Sequence, residues 1–106
     1  MSDSASPITP AMFNVLLALA DGDKHGYAIL KEVELSTGTL YGIIKRLLAD
    51  GLIAEARRRP AAADDDARRR YYRLTDQGRQ TAVAEAHRME ELLVRARSKR
   101  LVKAWS

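Results

Sequence analysis

The chain of 106 residues contains no cysteine, and that absence excludes disulfides, thiol nucleophiles and zinc sites built on thiolates. Histidine is nearly as scarce: His25 and His87 lie far apart, so a histidine-rich metal site is not expected. No stretch approaches the roughly 20 apolar residues that a bilayer-spanning helix requires. Met1 to Pro7 lacks the basic start and apolar run of a secretory leader, which predicts a cytoplasmic protein. No arrangement of nucleophile, acid/base pair or ligand cluster stands out, so neither an enzyme nor a cofactor is expected. A triple carboxylate, Asp64-Asp65-Asp66, offers oxygen ligands, but an alanine-rich loop does not preorganise them for a cation.

What the chain does have is positive charge. Eighteen Lys and Arg face fourteen Asp and Glu, a net +4. The balance leans towards a polyanionic partner, although position matters more than the sum.

Punctuation divides the chain into elements. Residues 1–8 read as a flexible tail. Thr9-Pro10 supplies an N-cap and a proline at the first helical position. The helix they open, Pro10 to Ala20, is apolar nearly all round, with Phe13, Leu16 and Leu17 among its residues. Such a helix needs cover on more than one side. A second helix is predicted from Lys24 or His25 to Val33, and a third from the N-cap Ser36 to Asp50, stopped by Gly51. Leu52 to Arg57 and Arg69 to Leu74 read as short strands around a polar segment, and Thr75 caps a long helix from Asp76 to about Lys103. Three helices, a hairpin and a long helix outline a mainly α, α+β winged helix-turn-helix. Residues 9–75 are its DNA-binding domain on this reading, and 76–106 a helix for dimerisation.

Helix three has two faces at about 100° per residue. Leu40, Ile43, Ile44, Leu47 and Leu48 share one side; Gly38, Gly42 and Lys45 lie opposite, flanked by Thr39, Tyr41 and Arg46. Glycine inside a helix costs up to about 1 kcal/mol relative to alanine. Two on one exposed face therefore suit close backbone approach to a major groove, against the alternative of a fraying first turn and neutral surface. Ser36, Thr37 and Thr39 gather at the helix N-terminus, where free N–H groups attract phosphate. Tyr41 reads either as a phosphate contact or as a tyrosine packed on helix two. Lys45 is the preferred base or phosphate contact. Arg46 either joins it or pairs with Asp50 at i+4.

The hairpin carries Arg57, Arg58, Arg59, Arg68, Arg69, Arg70 and Arg73, the densest basic cluster in the chain. By period two, Tyr72 and Leu74 face the core while Tyr71 and Arg73 face outward. A wing lying along phosphates or reaching the minor groove would use these arginines, against the alternative of a solvated loop. Asp64 to Asp66 repel phosphate, so the tip is expected to swing clear while the flanks bind.

In the last helix Ala82, Ala86, Met89, Leu93, Ala96 and Arg100 recur at alternating spacings of four and three, a heptad stripe whose small residues permit close helix approach. The stripe either packs on the chain's own first helix or joins Phe13, Leu16 and Leu17 in a homodimer interface. Both helices have more apolar surface than one such pair covers, which favours the homodimer.

His25-Gly26-Tyr27-Ala28-Ile29, Gly38-Thr39-Leu40-Tyr41, Lys45-Arg46-Leu47, Asp50-Gly51-Leu52-Ile53 and Arg70-Tyr71-Tyr72-Arg73-Leu74-Thr75 with Gly78, in that order, resemble the PadR family over about residues 12 to 80. The resemblance implies a repressor-type regulator that binds double-stranded DNA, dimeric through its C-terminal helix, in the compact form with one such helix. It also implies release by a small hydrophobic effector, for which Trp105 is a candidate pocket residue beside the plainer reading of a frayed end. In one respect the chain departs from the pattern: Val33-Glu34-Leu35-Ser36 joins helices two and three directly, where the family carries a longer connection. The shortening is expected to remove a small strand, leaving a two-stranded wing. A protein-interaction module on the same fold is the competing function, disfavoured by the arginine-lined wing and the open face of helix three.

Overall fold

The computed structural model describes residues 8–56 and 70–103. The order of elements is α1 (Pro10–Ala18), β1 (Lys24–His25), α2 (Gly26–Glu32), α3 (Thr37–Ala49), β2 (Ile53–Ala56), β3 (Tyr71–Leu74) and α4 (Asp76–Ser98). Thr9 caps α1 by accepting the Met12 N–H at 3.1 Å, with Pro10 at the first helical position. Ile8, assigned to the tail from sequence, packs half-buried against the core.

One core joins three helices and the sheet. Val15, Leu16 and Leu19 from the first helix and its cap, Ile29 and Val33 around α2, Leu40, Ile44 and Leu47 of α3, and Leu52, Ile53 and Tyr72 around the hairpin are all buried. Ile43, Leu48 and Leu74 lie half-buried at its edge. The apolar face expected of helix three is thus the face that packs.

Three antiparallel strands are present, in the order β1-β3-β2. Ile53 to Ala56 pair with Leu74 to Tyr71, while Lys24 pairs with Tyr72 and His25 with Tyr71. The hairpin of β2 and β3 is the two-stranded wing, and the expectation that it lacks a third strand is corrected: β1 pairs with β3. The third strand precedes α2, so the short connection after α2 leaves it untouched. Pairing also sets where α2 begins: Lys24 and His25 belong to the sheet, and the His25 Nδ1 accepts the Ala28 N–H at 3.1 Å as the helix cap. Lys24 fastens the same corner. Its ammonium donates to the Ala18 carbonyl and to the carboxylates of Asp21 (2.7 Å) and Glu32 (3.0 Å). The hydrogen bond to Asp21 is the main influence holding the Lys24 pKa above its usual value.

The first and last helices are shorter than the sequence suggests. α1 ends at Ala18 in turn-type bonds through Ala20. α4 ends at Ser98, where Arg100 takes a left-handed conformation (φ 66°) and the Leu101 N–H returns to the Ala96 carbonyl at 2.8 Å.

The junction between α3 and α4 is tight. The Thr75 hydroxyl donates to the Gly51 carbonyl at 2.7 Å and accepts the Gly78 N–H at 2.9 Å. Thr75 N–H donates to the Leu52 carbonyl at 3.2 Å. Gly51 itself is left-handed, φ 76°. A Cβ on Gly78 would collide with the Leu52 carbonyl and press on the Leu74 side chain. Backbone cannot yield as a flexible side chain does, so Gly78→Ala is expected to destabilise the fold at or above the upper end of the usual overpacking range of about 1–3 kcal/mol. Thermal unfolding checks this; a melting temperature equal to the parent's contradicts it.

Candidate nucleic-acid interface

With Leu40, Ile44 and Leu47 buried, helical geometry turns Gly38, Gly42 and Lys45 outward. All three are exposed. Nothing stands within 4 Å of where a Cβ would sit on Gly38 or Gly42, so these positions form a bare backbone strip. Ser36 caps α3: its hydroxyl oxygen accepts the Thr39 N–H at 3.2 Å and its proton goes to the Thr39 hydroxyl at 2.9 Å. Thr37 and Thr39 are exposed beside it.

Tyr41 is 45% exposed, and its phenol occupies the space a Cβ on Gly26 would take. Of the two readings the sequence left open, the structure realises packing on helix two. The glycine of the first quoted segment is the seat for the tyrosine of the second. Tyr72 links this seam to the sheet: burial is the largest influence raising its pKa, Glu55 and Tyr41 raise it further, and Arg70 opposes them.

The cations differ in their partners. Lys45 is exposed and forms no ion pair among the described residues. Arg46 donates to Asp50 at 3.2 Å, the i+4 pairing. Arg70 pairs with Glu55 across the hairpin at 3.0 Å. Arg73 is exposed, and Tyr71 is half-buried with its ring edge-on to His25 at 5.3 Å between centroids. The expectations for Arg57, Arg58, Arg59, Arg68, Arg69, Asp64 to Asp66 and Trp105 lie outside the described residues. Among the described residues, no group of three His, Cys, Asp or Glu side chains is placed to hold a metal ion.

Two participants escaped sequence reasoning: the seat at Gly26, and Glu55 in its role as the ion-pair partner of Arg70. Glu55 had no local signal, because its partner is 15 residues away.

α4 carries a second surface. Beyond Gly78 no residue of this helix is fully buried. Ala82 packs half-buried on the core, Ala96 is half-buried, and Ala86, Met89 and Leu93 are exposed. Ala86, Met89 and Leu93, together with Val83, Val94 and the half-buried Phe13, line an open apolar groove of about 580 Å³ that His87, Glu90 and Arg97 also line. Leu17 is 53% exposed. Leu16, assigned from sequence to an interface between protomers, is instead fully enclosed in the protomer's own core. The nearly all-apolar pattern of α1 could not separate its inner from its outer leucines. No helix of the described residues is long and apolar enough to cross a membrane.

Comparison with known proteins agrees with this architecture. The family model described as "Transcriptional regulator PadR-like family" matches residues 15–84. A 37.1 kDa protein of transposon TN4556 from Streptomyces fradiae, itself uncharacterised, is 41% identical over 92 residues. The match covers 77% of this chain, and the chain spans about a quarter (24%) of that relative's length. Among solved structures, BpsR of Bordetella bronchiseptica, whose DNA binding is regulated by 6-hydroxynicotinic acid, superposes with a TM-score of 0.69 at 29% identity. That match covers 83% of this chain and 59% of BpsR. A PadR family transcription regulator from Clostridium difficile R20291 shares the fold with a TM-score of 0.72 at 22% identity, covering 83% of this chain and 95% of that one. By the family model, which takes in most of the core and both sides of the hairpin, the chain belongs to the transcriptional regulator PadR-like family.

Proposed function

We propose that this chain is a transcription regulator of repressor type that binds double-stranded DNA sequence-specifically, reading an inverted-repeat operator as a homodimer. The observation that carries the reading is the outward face of α3, where a bare strip at Gly38 and Gly42 runs beside Lys45, a cation with no ion pair among the described residues. A backbone strip without side chains lets a helix sit deep in a major groove, and a lysine at its edge reaches base acceptors or phosphates. Ser36, Thr37 and Thr39 at the N-terminus of α3 are phosphate contacts on this reading, with Tyr41 and Arg46 flanking the strip. Arg70, Tyr71 and Arg73, with Arg58, Arg68 and Arg69 of the wing, follow the backbone.

The α4 surface supports assembly. Exposed apolar surface on this scale, with Val83 and Val94 each 56% exposed, marks an interaction site. We assign it to a second copy of the chain through Phe13, Leu17, Ala82, Ala86, Met89, Leu93 and Ala96. A small hydrophobic effector fits the same groove, and Trp105 is kept as a candidate contact for it.

Lys45→Ala is expected to weaken binding to the selected operator by about 1–3 kcal/mol, the range for a good base contact. Its melting temperature should match the parent's, because Lys45 lies opposite the core. Unchanged affinity in a mobility-shift titration contradicts the assignment. Gly42→Ala separates stability from function: the methyl enters open space, so the fold gains up to about 1 kcal/mol from helix propensity. The same methyl stands between backbone and groove, so operator affinity falls. A variant that is both more stable and equally tight on DNA refutes close approach. Leu93→Asp tests assembly. In a lone protomer Leu93 is 48% exposed and tolerates a carboxylate, whereas an interface would bury that charge unpaired at a cost of several kcal/mol. Sedimentation is expected to show a folded monomer in place of a dimer. A parent that already sediments as a monomer at micromolar concentration while binding a palindromic duplex tightly contradicts the dimer.

A further inference from the structure

We propose that Asp50 and Glu55 are specificity-determining carboxylates: each holds an arginine of the DNA-facing surface in an exposed ion pair and so suppresses binding to non-cognate DNA. The inference rests on the DNA-binding reading above. Arg46 and Asp50 meet at 3.2 Å with side chains 59% and 43% exposed. Arg70 and Glu55 meet at 3.0 Å with side chains 69% and 50% exposed. Arg46 lies one residue beyond Lys45 on α3. Glu55 lies opposite Tyr72 in the pairing of β2 with β3, and β2 packs against α3, so the Arg70–Glu55 pair sits on the hairpin beside that helix.

Exposed pairs of this kind are weak, because water and salt screen both charges. A phosphate can therefore take the arginine from its carboxylate, but only at the cost of leaving a negative charge beside the DNA. On an operator, base contacts through α3 offset that cost and fix the register. On random sequence nothing offsets it, and the arginines stay with their carboxylates. Lys45 and Arg73 then remain as the exposed cations outside any ion pair on the described part of this surface. The other ion pairs have different settings. Lys24 anchors α1, β1 and α2 with a side chain only 21% exposed, and Arg88 pairs with Glu85 within α4.

The test is a titration of a random-sequence duplex with the parent, with Asp50→Asn/Glu55→Gln, and with the same double change on an Arg46→Ala/Arg70→Ala background. Removing the two carboxylates is expected to tighten binding by about tenfold at moderate salt and to steepen the slope of log affinity against log salt by about 1.8 per bound protomer, two phosphates' worth. On the background without the arginines the gain is expected to vanish. A folded double variant with parental affinity and slope overturns the inference while leaving the DNA-binding reading intact. A gain that persists undiminished without the arginines overturns it too, because the carboxylates would then act by direct repulsion alone. A parent that binds no random duplex even at low salt overturns both the inference and the reading beneath it.

Discussion

Burial of Leu40, Ile44 and Leu47 in the core shared with α1 is the constraint on which the rest of the surface depends. A helix is rigid about its own axis, so fixing one face fixes the opposite one. Once these three side chains are enclosed, Gly38, Gly42 and Lys45 have no choice but to face water. Val15, Leu16 and Leu19 complete the enclosure from α1. The outer face of α3 is thus set by apolar packing, and no polar residue on it is needed to hold it there.

Two close approaches then fix that face relative to its neighbours. The phenol of Tyr41 seats on Gly26, tying α3 to α2, and Gly78 lets α4 press against the Leu52 carbonyl, tying it to the hairpin. Thr75 bonds to both sides of the second contact. Between them, β3 lies against both β1 and β2, so the wing is bound to α2 through the sheet as well as by side chains. α3 and the described strands of the hairpin are accordingly held in place from both α2 and α4. α4, by contrast, leaves the core after its first turns and carries exposed apolar residues along most of its length.

Much of this was legible in the sequence because it is encoded locally. The caps at Thr9, Ser36 and Thr75 each sit beside the N–H group they accept, and the inner face of α3 follows from a period of 3.6. The losses came where partners are remote or patterns are degenerate. β1 is two residues long, too short for alternation to register, and exists only because β3 pairs with it. Leu16 and Leu17 are adjacent in a helix apolar nearly all round, yet one is enclosed and the other half open. Arg70 reads as a free cation until the hairpin brings Glu55 to it. Conversely, the pairing of Arg46 with Asp50 was visible as one of two options, since i+4 geometry is local.

The central claim is that two copies of α3, related by a two-fold axis, read DNA together. Selection of bound duplexes from a random pool by the full chain tests it most directly. The account predicts enrichment of an inverted repeat whose half-site centres lie one helical turn, roughly 34 Å, apart or a multiple of that spacing. A pool that stays random after repeated rounds, or an enriched site with no two-fold symmetry, would contradict it.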